Sequence, residues 1–283
     1  MSTQALQAPQ TEQLSAKNFN RLSQFIQDYS GIKMPANKRT MLEGRLRRRM
    51  RATRIDDVNA YCRYLFDEDG MDSEVIHLID AVTTNKTEFF REPAHFDFLV
   101  SKGLPALAAK GKRDIKIWSS ACSTGAEPYT IAMILDEFCQ TQRGLDYSIL
   151  CTDICTEVLD QAIAGRFSEQ MIDPVSTARR QRYVMRAKDP SRQEVRIKPH
   201  LRGKLTFARL NLIDDAYPIE SDLDIIFCRN ILIYFDKPTQ AKVLRRLCDH
   251  LAPGGYLFLG HSESIVGIDL PVVQIANTVF QKR

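Results

Sequence analysis

From Ile115 to Leu259 the chain alternates short apolar runs with amphipathic stretches, and this alternation constrains the fold more than any other feature. The runs are Ile115–Ser120, Ser148–Cys151, Leu205–Phe207, Leu223–Cys228 and Tyr256–Leu259, all rich in Ile, Leu or Phe. Helix signals fall between them. One helix is opened by Pro128, one runs from near Thr156 to Gly165, and one begins near Asp236–Pro238 and stops at Pro253-Gly254-Gly255. Val272–Ile275 and Thr278–Gln281 read as a closing pair of strands. Strands alternating with helices predict a doubly wound sheet that binds ligands at the carboxyl ends of its strands.

Before Gly111 the pattern is different. Leu22, Phe25, Ile26 and Tyr29 repeat at helical spacing up to Gly31, and Leu42, Leu46 and Met50 form a second stripe. At 100° per residue, Arg45, Arg47, Arg48 and Arg51 fall on the face opposite that stripe. Tyr61, Tyr64, Leu65, Val75, Leu78, Ile79 and Val82 continue the theme. The expected organisation is a disordered tail over residues 1–14, a helical domain over 15–85, a linker helix region over 86–111 and a ligand-binding domain over 112–283. About forty residues separate Gly165 from Leu205, too many for a simple connection. Within them Arg182–Arg186 and Val195–Lys198 read as short strands around Lys188-Asp189-Pro190-Ser191. With Leu205–Phe207 nearby, a small antiparallel subdomain is expected over 166–204.

Charge is unevenly spread. Lys33 to Arg54 holds nine basic residues against one acid, and Arg166 to Lys204 holds eleven against four. In a chain of net charge +4, these islands of +8 and +7 leave the remainder at −11. Two basic islands on an acidic body point to a localised acidic partner rather than a general polyanion binder. The start carries no basic, apolar leader and no run spans a membrane, so a cytoplasmic protein is expected. Seven cysteines, an odd number, read as reduced thiols, and five scattered histidines read as surface or satisfied core residues. No metal site is expected.

Chemistry concentrates after the strands. The first ends in Trp118-Ser119-Ser120-Ala121-Cys122-Ser123-Thr124-Gly125-Ala126-Glu127-Pro128-Tyr129, where small residues let the backbone approach a ligand closely. This is no glycine-rich phosphate cradle, and Glu127 at the helix entrance repels a pyrophosphate but tolerates a cation. A purely structural alternative is an acid complementing the helix dipole. The second strand ends at Asp153, placed to hydrogen-bond a ribose diol. Leu251 to Gly255 then leads into an apolar strand, a pattern frequent in methyltransferases of this sheet type.

Four ordered motifs make the resemblance specific: Thr83-Thr84-Asn85-Lys86-Thr87-Glu88-Phe89-Phe90-Arg91-Glu92, Ser120 to Tyr129, Phe227-Cys228-Arg229-Asn230-Ile231-Leu232-Ile233-Tyr234-Phe235-Asp236, and Gly260-His261-Ser262-Glu263. From about Phe19 to the end the chain resembles the CheR-type receptor methyltransferases. Ala126 departs from the pattern, where many members carry a second acid. The resemblance implies a class I methyltransferase fold: a Rossmann-like, doubly wound sheet with an antiparallel last strand. It further implies a small helical N-terminal domain and an inserted β-subdomain. The cofactor would be S-adenosylmethionine, leaving as S-adenosylhomocysteine. Asn85, Thr87, Arg91, Glu127, Asp153, Asn211, Leu212, Arg229 and Asn230 would surround it. Asp153 would take the ribose hydroxyls, Glu127 and Arg91 the methionine amine and carboxylate, and Asn211 and Leu212 the adenine border.

Arg91 and Tyr234 are the catalytic candidates, and Arg45 and Arg48 the substrate-binding ones. The implied reaction esterifies glutamate carboxylates on the cytoplasmic domains of methyl-accepting chemotaxis receptors, in sensory adaptation. A receptor C-terminal peptide is a possible ligand of the β-subdomain, although Ala187 to Glu194 lacks the glycine that tail-binding members tend to carry. No nucleic acid, no membrane insertion and a monomeric enzyme are expected.

Blander readings stay open for single residues: a helix cap for Asn85 and Thr87, a strand-end salt bridge for Arg229, a core aromatic for Tyr234. Two other functions compete. A nucleic-acid methyltransferase would use Arg45 to Arg51 on phosphates, but Cys228-Arg229-Asn230 replaces the Asn/Asp-Pro-Pro-aromatic strand end of amino-group methylation. A non-catalytic cofactor sensor would show eroded binding positions, and none is seen.

Overall fold

The computed structural model describes residues 13–189 and 191–283. The chain divides into two compact units, residues 1–83 and 84–283. Among the described residues no helix is long and apolar enough to cross a membrane. Most of the expected tail lies outside the described residues, but its last residue, Leu14, is fully buried and its N–H donates to Glu43. Order therefore begins earlier than the polar composition suggested.

The first unit is four helices: α1 (Ala16–Ser30), α2 (Arg39–Thr53), α3 (Val58–Asp67) and α4 (Met71–Val82). Ser15 caps α1 by accepting the Asn18 N–H, and Gly31 closes it at φ 74°, the left-handed geometry glycine adopts without penalty. The Leu42, Leu46 and Met50 stripe is buried as expected. The basic face of α2 is not uniformly solvated. Arg45 donates to the Val82 carbonyl and, at 3.0 Å, to the Thr83 carbonyl, meeting acceptors that a helix end leaves without partners. Arg49 grips the buried Glu74 through two bonds of 2.7 and 3.0 Å, and Tyr61 completes the group with a bond of 2.9 Å to the same carboxylate. Arg47, Arg48 and Arg51 are the exposed members.

The second unit opens with α5 (Ala94–Phe98), a π-helical stretch Leu99–Gly103 and α6 (Leu104–Ala109). The sheet region follows as β1 (Asp114–Ser119), α7 (Ala126–Thr141), β2 (Asp146–Asp153), α8 (Thr156–Ala164), β3 (Arg166–Ser168), α9 (Thr177–Tyr183), β4 (Val184–Arg186), β5 (Glu194–Ile197), α10 (Pro199–Arg202) and β6 (Leu205–Arg209). It ends with β7 (Leu223–Cys228), α11 (Lys237–His250), β8 (Leu251–Leu259), β9 (Val272–Ala276) and β10 (Val279–Lys282). The seven-stranded sheet has the order β6-β2-β1-β7-β8-β10-β9, with β10 antiparallel to both neighbours. Along β7, Ile225 and Phe227 enter one hydrophobic cluster and Ile226 and Cys228 the other, so the central strands are buried on both faces.

Four details depart from the sequence reading. The small sheet is β3-β5-β4, so its third strand is Arg166–Ser168, and Leu205–Arg209 instead extends the main sheet beside β2. Arg182 and Tyr183 end a helix that Ser176 caps, because the buried Tyr183 is drawn in by a 2.9 Å bond to Asp136. Pro253-Gly254-Gly255 does not sit ahead of a strand but inside β8, in a bulge where the partner of Leu223 is Leu251 and that of Ile225 is Tyr256. Likewise α7 begins at Ala126, which puts Pro128 third rather than first, still within the turn whose N–H groups lack partners.

Candidate active site

The loops at the carboxyl ends of β1, β2 and β7 converge, and their meeting is held by side chains that carry opposite charge. After β1 the backbone turns through Ser123 at φ 49° and Gly125 at φ 94°. A Cβ at Gly125 would lie 3.1 Å from both Ala162 and the Tyr129 ring, so glycine serves close packing there as well as the turn. Asp153, at the end of β2, stitches this loop down. Its carboxylate accepts the Ser123 N–H at 2.8 Å and the Cys155 N–H at 3.0 Å. The Ser123 hydroxyl donates to the Asn85 carbonyl at 2.9 Å, and the Asn85 amide approaches the Cys155 sulfur at 3.5 Å. Asn85 and Asp153 are thus brought together across sixty-eight positions of sequence. Residues 83–88 are not helical and the next helix starts at Ala94, so the helix-cap reading of Asn85 and Thr87 does not hold.

Beside this lies an ion cluster. Arg229, whose side chain is 2% exposed, donates to Glu127 at 3.0 Å and to Glu92 at 2.9 Å, and also to the Arg91 carbonyl. Glu127 accepts the Ser119 hydroxyl at 2.8 Å on its other oxygen. The strand-end salt bridge considered for Arg229 is therefore what its side chain makes, and it is a double one. Asn230, at φ 60°, returns its amide to Glu92 at 3.1 Å. Burial opposes the charge on Glu92, but Asn230 and the Arg229 guanidinium outweigh it and hold the carboxyl at about 2. Two carboxylates against one guanidinium leave net negative charge at the strand ends, which suits a cationic ligand.

The other expected residues are placed as follows. Asn211 follows β6 and is buried, and the preceding Leu210 N–H donates to the Asp153 carbonyl at 3.0 Å. The Leu212 side chain joins the hydrophobic cluster on one sheet face. Arg91 folds back so that its guanidinium donates to the Lys86 carbonyl at 3.2 Å. Thr87 is half-buried. Tyr234 ends a single 3-10 turn, Leu232–Tyr234, half-buried against the same cluster as Leu212. Arg45 and Arg48 belong to the helical unit.

Sequence reasoning passed over Glu92 and Glu263, although both stood inside the quoted motifs. The available signal was charge balance, since a buried arginine needs an acid and Glu92 lies in the same short motif as Arg91. It also scattered the histidines, two of which meet. The Glu92 carboxylate lies 3.5 Å from His95 Nδ1 and 4.0 Å from His261 Nε2. These three are the one set of potential metal ligands among the described residues. The oxygen they share already takes two donors from Arg229, so a divalent ion there would stand beside a guanidinium. His95 is buried, its Nε2 is 2.8 Å from the Thr278 hydroxyl, and its Nδ1 has no hydrogen-bond partner.

Burial, with Arg229 adding to it, pushes His95 down to about 4. An unfolded chain takes up this proton near pH ~6.5, whereas the folded one resists until about 4. The stability this group contributes is therefore complete above that unfolded value and is lost as pH falls through the window, by ~3 kcal/mol in all. Glu92 extends the loss in the same direction below the ordinary glutamate range. Denaturant midpoints measured from pH 7 to 4 should fall for the wild type, and His95→Gln should flatten that slope. An unchanged slope in the variant would assign the acid sensitivity to other groups.

Family models match the chain in two stretches. Residues 17–83 match the CheR methyltransferase all-alpha domain, and residues 85–280 match the CheR methyltransferase SAM-binding domain. The chain is 38% identical to the chemotaxis protein methyltransferase of Klebsiella aerogenes over 267 residues, covering 94% of this chain and 90% of that one. It is 36% identical over 275 residues to the protein of that name in Escherichia coli, covering 97% and 94%. To the Borreliella burgdorferi protein it is 35% identical over 259 residues, covering 90% of each. With both domain models matched in order and full-length relatives above 30% identity, the chain belongs to the CheR methyltransferase family.

Proposed function

We propose that this SAM-dependent methyltransferase esterifies glutamate side chains on the cytoplasmic domains of chemotaxis receptors. The observation that carries the reading is the acidic excess at the strand ends, where Glu92 and Glu127 share the cation of Arg229 at the end of β7 and Asp153 closes β2, two strands away in the sheet. S-adenosylmethionine supplies an electrophilic methyl group on a sulfonium. Asp153 is oriented by two backbone N–H bonds to receive the ribose diol, and Glu127 by Ser119 and Arg229 to face the amine. Asn211 and Leu212 border the adenine in this reading, with Asn85, Thr87 and Asn230 completing the wall.

The acceptor needs no base from the protein. A glutamate with a pKa of ~4.3 is already ionised near neutral pH. Charge on both reactants fades as the bond forms, so tight binding of the sulfonium would favour the ground state. The protein's work is alignment and removal of water from the carboxylate. Tyr234 orients that carboxylate through its hydroxyl, and Arg91 holds it once its guanidinium leaves the Lys86 carbonyl. Labelled methyl transferred onto receptor cytoplasmic domains should be released by mild alkali, as an ester is. Asp153→Ala should weaken S-adenosylhomocysteine binding by about 1.5–3 kcal/mol in calorimetry, the range for a hydrogen bond to a charged group. Unchanged affinity in a folded variant would remove Asp153 from the cofactor.

On the helical unit, exposed Arg48 is the better candidate for an acidic receptor helix, because Arg45 serves the end of α4. Arg48→Glu should slow receptor methylation several-fold and reduce its salt dependence, with cofactor binding intact. Equal rates would make this face a solvated surface.

A receptor tail would add a strand to an edge of β3-β5-β4, an arrangement supported by the +7 charge of residues 166–204. Free tail peptide should then slow methylation of tailed receptors and leave tailless ones unaffected, because tethering acts only through local concentration. No binding of any host tail peptide would end that assignment.

A further inference from the structure

Four backbone N–H groups converge on one buried carboxylate that the methyl-transfer reading does not use. Glu263, 6% exposed, accepts from Gly260 at 2.6 Å, Leu232 at 2.7 Å, Ile231 at 2.8 Å and Asn230 at 3.0 Å. Three of these donors are consecutive in the loop that leaves β7. No preceding carbonyl can reach them, because the chain turns sharply there through the left-handed Asn230. A non-glycine residue in that region is strained and persists only where its surroundings over-determine it. Here they do: the Asn230 N–H is tied to Glu263 and its side chain to Glu92.

The approach is too close for any other residue at position 260. A Cβ on Gly260 would lie 2.5 Å from Asn230 Nδ2, 2.8 Å from the Asn230 backbone nitrogen and 3.0 Å from the Glu263 carboxylate. The turn that carries Glu263 is closed by its own N–H bond of 2.9 Å to the Gly260 carbonyl. A carboxylate with four converging N–H donors is a rigid joint between two loops. On one side of that joint lie Arg229, Asn230 and Tyr234.

We infer that Glu263 is a positioning residue: by accepting these four N–H groups it holds the Arg229–Tyr234 loop in the shape that methyl transfer uses. The inference rests on the proposed reading that this loop borders cofactor and acceptor. Removing the carboxylate leaves a cluster of backbone donors that a small free carboxylate can fill, and this supplies the test. Glu263→Ala should lower both kcat and melting temperature, and formate should restore both saturably, whereas chloride at equal ionic strength should not. The wild type should respond to neither salt in this way. Glu263→Gln keeps the shape and one acceptor oxygen but presents an NH2 group to backbone donors. It should fold and lose at least tenfold in kcat, with receptor KM changed less than threefold.

Wild-type kcat in a folded Glu263→Gln would overturn the inference, and so would a folded Glu263→Ala that formate neither stabilises nor reactivates. Stabilisation by formate without reactivation would reduce Glu263 to a structural buttress and also overturn it. If Glu263→Ala does not fold, the Glu263→Gln rate decides. Failure of the methyl-transfer reading is separately visible: the wild type would then lack receptor turnover, while the formate-dependent melting shift of Glu263→Ala would remain.

Discussion

Arg229 buries a guanidinium at the end of the central strand, and the rest of the second unit is arranged around making that tolerable. An isolated buried cation is so costly that it must be paired and its donors satisfied. Glu127 answers from the first turn of α7, and Glu92 and the Arg91 carbonyl answer from the segment that precedes α5. One cation thereby fastens three stretches of chain that lie far apart in sequence. Because two carboxylates answer it, the junction keeps a negative excess. The fold thus builds a negative excess at its strand ends as a condition of its own stability.

The remaining joints follow the same principle with backbone as the partner. Asp153 and Glu263 each spend a carboxylate on main-chain N–H groups in neighbouring loops. Such loops are needed because a parallel sheet delivers its strand ends to one edge and every strand must turn away there. Two of them turn through positive φ at residues other than glycine, Ser123 and Asn230, and the segment ahead of α5 does so at Phe90 and Glu92. At Ser123 and Asn230 the strained backbone is tied by N–H bonds to Asp153 and Glu263. An in-line displacement gains from such rigidity, since its rate depends on how narrowly the reactants are aligned.

The basic islands show how far charge alone can be read. In α2 the cluster of arginines looked like one binding face, yet Arg45 serves the end of α4 and Arg49 is consumed by Glu74. Arg47, Arg48 and Arg51 are the exposed members of that cluster. In the inserted region, Arg179 pairs with Glu137, Arg180 binds the Val175 carbonyl and Arg196 the Ala164 carbonyl. Net charge counts these residues equally, but their donors are already engaged in the fold.

Hydrophobic period was sufficient to read the two-part organisation, the helical stripe Leu42-Leu46-Met50 and the parallel strands β1, β2, β7 and β8, because period reports which faces must leave water. Motif order was sufficient to read the family and to gather Asn85, Glu127, Asp153, Arg229 and Asn230 into one expected site. Only the tertiary structure decided which atoms those residues hold. It turned Arg229 onto Glu92 and Glu127, paired β3 with β5 in place of β6, and folded Pro253-Gly254-Gly255 into a strand. It also brought His95 of α5 against His261, two residues from Glu263. Periodicity is local and additive along the chain, whereas the partner of a buried charge or an unpaired N–H is set by distance in space, to which no spacing in sequence corresponds.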